Sequence, residues 1–175
     1  MKDFSYGRKP VETDETYKKP VCRRQKNAIM SYTNLLYHIV FGTKSRSPLI
    51  TDELKPRLHE YLGGTVRGLG GIAFEINGMN DHVHLLVKIP PTIAVSDFLR
   101  DLKANSSKKG KEFSNGKFGW QRRYGAFTVS ESQFGIVRNY IRNQEKHHLK
   151  FDFKQEFESL LRANHFEIDD FVWQD

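Results

Sequence analysis

The chain has 175 residues, which suits one domain with a core of useful size. Its formal charge of +7 and its pI near 9.5 favour a polyanionic partner, and the interleaved aromatic residues favour nucleic acid. A single cysteine, Cys22, excludes an intramolecular disulfide framework and suits a reducing cytoplasm, and no apolar run approaches the ~20 residues that span a membrane.

The first 30 residues differ in composition from the rest of the chain. Residues 1–30 contain eight Lys and Arg against four acids, with little apolar material, which predicts a disordered basic arm. Met30 directly precedes the first patterned stretch. We therefore expect the folded domain over residues 31–175 and interpret 1–29 as an upstream extension.

Hydrophobic periodicity and turn residues predict the elements that follow. In chain order they are a strand over 34–43, a helix over 51–69, strands over 72–76 and 83–89, a helix from about Val95, a strand over 125–130 and a helix over 132–148. The order β-α-β-β-α-β describes an α+β, ferredoxin-like split βαβ antiparallel sheet with two helices on one face. The other face is then free for the additional helix.

The last 27 residues form an acidic tail. Residues 149–175 hold three basic and seven acidic side chains, in contrast to the basic body. The spacing of Phe153, Phe157, Leu160 and Leu161 predicts a short amphipathic helix. We expect the aromatic residues of 171–173 to dock on the body.

Two histidines follow the turn predicted at Gly78–Asp81. Because strand side chains alternate faces, His82 and His84 point the same way with Val83 opposed, so their imidazoles can converge on one cation. The alternative interpretation is two histidines near a strand start that meet solvent. A metal site usually needs a third ligand.

A tyrosine and a glutamine on the last predicted long helix are a candidate nucleophile and a candidate third metal ligand. Tyr140 and Gln144 are four residues apart and share a helix face. A phenolate can attack a phosphodiester while a divalent cation neutralises the phosphate oxygens, and the amide oxygen of Gln144 can complete a mixed N and O site for Mn²⁺ or Mg²⁺.

Each of these residues also has a structural interpretation. Tyr140 can belong to the apolar helix face, Gln144 can be a surface amide, and Tyr37 and Tyr124 are rival nucleophiles by residue type. Tyr124 lies in a basic loop where base stacking is a sufficient role. Four further histidines have other interpretations. His38 and His59 are interpreted as structural, and His147 and His148 lie at a helix C-terminus, where the macrodipole favours imidazolium.

Taken together, these motifs resemble the single-tyrosine transposases of small bacterial insertion sequences, the TnpA type of the HUH endonuclease superfamily. The resemblance covers about 31–173 and is carried by Tyr37–Phe41, Ile76–His84 and Tyr140–Gln144, with further matches at 94–98, 103–107, 116–120 and 124–127. The pair His82 and His84 matches the HUH motif.

The resemblance implies a metal-dependent enzyme that cuts and rejoins single-stranded DNA at hairpin-bearing element ends through a 5′-phosphotyrosine. Tyr140 is then the nucleophile, and His82, His84 and Gln144 bind Mg²⁺ or Mn²⁺. The family works as a homodimer whose active sites can be shared between subunits. The basic residues implied to contact the DNA backbone are Lys103, Lys108, Arg122, Arg123, Arg138 and Arg142.

Two alternatives stay open from the residues alone. A non-catalytic single-strand binding module on the same sheet predicts exposed aromatics on the open face and no convergence of the four site residues. A domesticated relative that cuts chromosomal repeats has the same residues as a mobile-element enzyme.

Overall fold

Residues 32–168 are described in a computed structural model of the chain. The predicted arm over 1–30 and the predicted docking of 171–173 lie outside these residues. The chain divides into two units, Met1–Tyr32 and Thr33–Asp175, and the fold below is that of the second.

Four strands form one antiparallel sheet, and helices occupy both of its faces. The elements are β1 (Leu36–Gly42), α1 (Leu54–Gly68), β2 (Ile72–Gly78), β3 (His82–Lys88), α2 (Val95–Phe113), β4 (Gly125–Val129), α3 (Phe134–Arg142), α4 (Gln144–His147) and α5 (Phe153–Ala163). The strand order is β2-β3-β1-β4 with every pair antiparallel. The predicted ferredoxin-like α+β fold and the order of its first six elements are confirmed.

One face of the sheet is apolar and carries the main core. Alternate residues of β1 and β3, among them Ile39, Phe41 and Leu85, are fully buried there beneath α1 and α2. The helices contribute apolar stripes at helical spacing: Leu54, Leu58, Leu62, Val66, Phe98, Leu99 and Leu102. This packing fixes the positions of the central strands and therefore of whatever the opposite face carries.

The opposite face carries the histidines. Because side chains alternate, burying Ile39 and Phe41 on the core side directs His38 and Val40 to this face. Helix α3 lies over β2 and β3, and α5 packs through Phe153 and Phe157 against Val40 and Phe127. The face is thus covered by helices and is not the open stacking platform that a single-strand binding module predicts.

The turn between β2 and β3 requires glycine. The backbones approach so closely at Gly78 that a Cβ atom there would overlap the carbonyl oxygen of His82. The Met79 amide donates a hydrogen bond to that same carbonyl oxygen at 3.1 Å. The turn therefore places the first histidine at the very start of β3.

The helix predicted over 132–148 is divided in two. A 3₁₀ turn, Glu131–Gln133, leads into α3, and the helix is interrupted at Asn143, whose φ and ψ are −100° and 24°. The side-chain amide of Asn143 donates at 2.8 Å to the carbonyl oxygen of Asn139, which also accepts from the Asn143 backbone amide at 3.1 Å. The His148 amide still bonds the Gln144 carbonyl at 2.9 Å, so the chain continues in the same direction.

Helix α5 returns the tail to the sheet. Asp152 begins the helix with a capping box, in which its carboxylate accepts from the Gln155 amide at 2.8 Å and the Gln155 side chain accepts from the Asp152 amide at 3.1 Å. The predicted amphipathic helix is therefore present. Among residues 32–168, none of the helices has the length and apolar character of a membrane span.

Candidate active site

His82 and His84 lie side by side on the helix-covered face, and both are fully buried. Nδ1 of His82 is 2.7 Å from Oδ1 of Asp81, and its ring stacks on Phe153 with centroids 4.2 Å apart. A carboxylate only accepts hydrogen bonds, so Nδ1 of His82 carries the hydrogen and Nε2 presents a lone pair. That Nε2 atom has no hydrogen-bond partner among the described residues.

His84 is held by a third strand histidine. Nδ1 of His84 is 2.9 Å from Nε2 of His38, and both rings are buried. Burial and the neighbouring His84 lower the pKa of His38 to about 3, and burial, only partly offset by Glu156, lowers the pKa of His84 to about 4. Both rings are therefore neutral at pH 7, and one donates to the other. His38 thus orients His84, a role beyond the filling of space.

A buried carboxylate from α5 lies at the centre of the cluster. Oε2 of Glu156 is 3.5 Å from Nε2 of His82 and 3.3 Å from Nε2 of His84, and the residue is 2% exposed. Burial acts to raise the pKa of Glu156, but the hydrogen bonds that it accepts from His148, His84 and Tyr140 outweigh this effect and lower the pKa. Glu156 is therefore a buried carboxylate anion, which requires cationic or donor partners.

Tyr140 and Gln144 reach the same carboxylate from the other side. The Tyr140 hydroxyl donates to Oε1 of Glu156, and Nε2 of Gln144 donates to that oxygen at 2.9 Å. Burial first, then the charge and hydrogen bond of Glu156, raise the pKa of the Tyr140 phenol. The rings of Tyr140 and His84 have centroids 5.9 Å apart. All four predicted site residues therefore meet in one chain.

The rival tyrosines lie elsewhere. Tyr37 packs against the core on the opposite face of the sheet. Tyr124 is 37% exposed and lines a cleft with Arg122 and Trp120, 5.6 Å from the ammonium of Lys103. Neither phenol shares the face that carries His82.

His148 belongs to the cluster, contrary to its interpretation as a charge at a helix end. Its side chain is 7% exposed, its Nδ1 is 2.8 Å from the Phe151 carbonyl oxygen, and its Nε2 is 2.9 Å from Oε2 of Glu156. Burial acts to lower the pKa of His148, but the hydrogen bond and charge of Glu156 raise it. The neighbouring His147 packs against Tyr140, with ring centroids 5.1 Å apart.

Glu156 itself was missed, although the sequence contained a signal for it. Phe153, Glu156 and Phe157 stand at i, i+3 and i+4 of the predicted amphipathic helix, which places a carboxylate on the buried stripe. A charged residue on such a stripe is almost never buried without a partner.

The six basic residues implied to contact DNA fall into three environments. Lys108, Arg122 and Arg123 are exposed. Nζ of Lys103 donates to the carbonyls of Arg122 and Arg123 at 2.8 and 3.1 Å, and burial lowers its pKa to about 8. The other two, Arg138 and Arg142, donate to Glu75 of β2 at 3.1 and 2.9 Å and fasten α3 to the sheet.

A family model and two relatives match this chain in sequence. The model of the family described as "Transposase IS200 like" matches residues 31–144, well over half of the chain. The chain belongs to the IS200-like transposase family. Its relatives include the ISDra2 transposase TnpA of Deinococcus radiodurans, 32% identical over 119 residues that cover 63% of this chain and 84% of the relative. The IS200 transposase of Salmonella typhimurium is 30% identical over 127 residues, covering 69% and 83%.

Solved structures agree on the architecture. A Deinococcus radiodurans R1 protein assigned as a transposase superposes with a TM-score of 0.55 and 28% identity, covering 69% of this chain and 98% of that one. A REP-associated tyrosine transposase bound to a REP hairpin shares the fold, with a TM-score of 0.52, 16% identity and coverage of 71% and 74%.

Membership of the IS200-like transposase family makes this chain a DNA-cleaving enzyme of the insertion-sequence type. The family match ends at Gln144 and so includes three strand histidines and Tyr140. His148 and Glu156 lie beyond it. His82, His148 and Glu156 nevertheless offer ligand atoms within 4.8 Å of one another. Buried imidazole nitrogens facing a carboxylate are a donor set that fits a divalent cation.

Proposed function

We propose that this IS200-like transposase cleaves and rejoins single-stranded DNA at insertion-sequence ends through a 5′-phosphotyrosine on Tyr140. One observation carries the proposal: the Tyr140 hydroxyl and the Gln144 amide share the Glu156 carboxylate, whose other oxygen faces His82 and His84. A buried phenol with only a packing role would not require a carboxylate anion beside it, or the unpaired buried atoms of His82 and Gln144.

The residues that would hold a divalent cation, Mg²⁺ or Mn²⁺, are His82, His84 and Gln144. Nε2 of His82 and Oε1 of Gln144 are buried and have no hydrogen-bond partner within residues 32–168, as expected of ligands that await an ion. When bound, the ion supplies positive charge that polarises the scissile phosphate and favours its orientation for displacement.

The protein's own groups then perform the displacement. Glu156 Oε1 accepts the hydrogen bond of the Tyr140 hydroxyl, and we propose that it takes the phenol proton as the reaction proceeds. The Tyr140 oxygen forms a bond to phosphorus, the bond from phosphorus to the 3′ oxygen breaks, and the proton passes from Glu156 through water to that 3′ oxygen. In the reverse step a 3′-hydroxyl attacks the phosphotyrosine and the Tyr140 oxygen recovers its proton, so rejoining needs no nucleotide cofactor.

The proposed DNA partner is a single strand with a hairpin end. The exposed groups Lys108, Arg122 and Arg123 are proposed to contact its phosphates, and Lys103 holds the backbone of the two arginines. Arg138 and Arg142 are also proposed to contact phosphates. A phosphate there would compete with Glu75 for their guanidinium groups.

We also propose a homodimer. In a single chain the Tyr140 ring already lies near His38 and His84, with centroids 6.0 and 5.9 Å away. We therefore expect an equimolar mixture of His82→Ala and Tyr140→Phe proteins to stay inactive. Recovered cleavage in the mixture would instead demonstrate that active sites are shared between subunits, and light scattering of the wild-type protein tests the dimer.

Incubation with an end-labelled single strand carrying a hairpin, in Mn²⁺ or Mg²⁺, tests the nucleophile. Wild-type protein is expected to form a covalent adduct that resists denaturing electrophoresis. Tyr140→Phe should abolish the adduct while binding of the strand persists.

Tyr124→Phe is the matched control because it removes a phenol from the cleft beside Lys103 and leaves the histidine face untouched. It should form the adduct normally. An adduct that survives in Tyr140→Phe and disappears in Tyr124→Phe would reverse the assignment.

A further inference from the structure

The histidine face contains more potential metal ligands than the two strand histidines and the glutamine. Helix α4 and helix α5 bring His148 and Glu156 against the same point, and both lie beyond the residues that the family model covers. Their nearest atoms are His148 Nε2 and Glu156 Oε2, 2.9 Å apart.

Two imidazole nitrogens face one carboxylate oxygen. The Phe151 carbonyl oxygen can only accept, so Nδ1 of His148 carries a hydrogen and its Nε2 faces Oε2 of Glu156. Nδ1 of His82 faces the Asp81 carboxylate, and its Nε2 lies 3.5 Å from the same Glu156 oxygen. A proton on Nε2 of His148 gives an ion pair with Glu156, and a metal cation can take the place of that proton.

The spacing matches a shared ion. Donor atoms about 2.1 Å from one ion lie roughly 3.0 Å apart in octahedral geometry and roughly 3.4 Å apart in tetrahedral geometry. Oε2 of Glu156 lies 2.9, 3.3 and 3.5 Å from Nε2 of His148, His84 and His82. Ligand atoms of His82, His148 and Glu156 all lie within 4.8 Å of one another, so one cation can bind these three residues.

We propose that His148 and Glu156 are metal ligands in this chain and form, with His82, a site of two imidazoles and a carboxylate. The proposal rests on the proposed function for the role of the ion, but its geometry concerns ion binding alone. Because Glu156 binds the ion through Oε2 and the Tyr140 hydroxyl through Oε1, the same residue fixes the nucleophile relative to the cation.

The donor set also selects among ions. Imidazole nitrogens suit Mn²⁺, Co²⁺ and Zn²⁺ better than Mg²⁺, which prefers oxygen ligands and retains its water. We therefore expect tighter binding of Mn²⁺ than of Mg²⁺.

Titration of the full-length, chelator-treated protein with Co²⁺, followed by its visible absorption, measures binding without any turnover. We expect Glu156→Gln and His148→Gln each to weaken Co²⁺ binding by at least about tenfold. Glu158→Gln is the matched control, since Glu158 is two residues along α5 and pairs with Arg162 at 3.2 Å. It should bind Co²⁺ as the wild type does.

A spectroscopic measurement tests the same residue without relying on affinity. Pulsed electron paramagnetic resonance of bound Mn²⁺ counts the coordinated nitrogens, and we expect the number to fall by one in His148→Gln. An unchanged number in His148→Gln, or unchanged Co²⁺ affinity in folded Glu156→Gln, would overturn this inference. Neither result touches the nucleophile assignment, whereas an adduct in Tyr140→Phe would refute that assignment and leave the Co²⁺ results intact.

Discussion

The substitution His38→Leu tests whether the third strand histidine orients the metal site. His38 is 4% exposed, and its Nε2 is 2.9 Å from Nδ1 of His84. Leucine is of similar size and fills the position, but it offers no hydrogen bond. Nδ1 of His84 then loses its partner in a fully buried position, and the ring is free to rotate or to change its tautomer.

The expected magnitude follows from two effects. A buried polar atom left without a hydrogen bond costs about 1–3 kcal/mol of the free energy of unfolding, and the added apolar burial of leucine offsets part of this. Removing the partner that orients a metal-binding imidazole lowers metal affinity about 10- to 100-fold, which corresponds to about 1.4–2.8 kcal/mol. We expect the loss of affinity to be the clearer signal.

Urea unfolding in the presence of a chelator measures the first effect, and Co²⁺ titration measures the second. The control is His59→Leu in α1, because Nε2 of His59 has no hydrogen-bond partner in the described part of the chain and lies on the far side of the sheet core. It should keep the wild-type affinity and should not lose stability. Equal Co²⁺ affinity of wild type and His38→Leu would refute the orienting role of His38.

Three further predictions concern the fold around the site. Phe157→Ala removes a ring that is 6% exposed from the cluster that holds α5 on the sheet. We expect the free energy of unfolding in urea to fall by about 3 kcal/mol. We also expect weaker Co²⁺ binding, because α5 carries Glu156, and wild-type Co²⁺ affinity would contradict the docking of α5. Gly78→Ala forces a Cβ against the His82 carbonyl oxygen and should lower the melting temperature by at least about 4 °C, measured by circular dichroism, so an unchanged melting temperature would argue against the tight turn. Acidification should destabilise the metal-free protein, because burial lowers the pKa of His38 to about 3 and, with Lys55, that of His59 to about 4, below the ~6.5 of an unfolded chain. Protons then bind the unfolded state first, so stability present above about pH 6.5 is lost as the pH falls to about 4 for His59 and to about 3 for His38. The loss is roughly 2 kcal/mol for each histidine at pH 5, and equal urea midpoints at pH 7.5 and pH 5 would contradict this.

The sheet and its first two helices were predictable because their signals are local. The apolar run of β1 and the Leu54–Val66 stripe of α1 need no distant partner to be recognised, and the β-α-β-β-α-β order then restricts the topology. The division of the long helix at Asn143 was not predicted. It depends on the non-helical backbone angles of one residue, which apolar periodicity does not register.

The site was predictable only in part. His82, His84, Tyr140 and Gln144 were found from spacing and resemblance, and the structure brings them together. Their roles stay predictions until the experiments above are done. Glu156 escaped because it lies 72 residues from His84 along the chain and meets it only after α5 folds back onto the sheet. No window of sequence contains both residues.

The helical cover of the histidine face divides the proposed catalytic residues between two parts of the chain. The strands supply His38, His82 and His84, while the continuous stretch from α3 to α5 supplies Tyr140 and Glu156. Under the proposed mechanism, lifting that stretch from the sheet would separate the attacking oxygen and its proton acceptor from the strand histidines in a single movement. Cleavage then requires that α3 and α5 stay packed on the sheet.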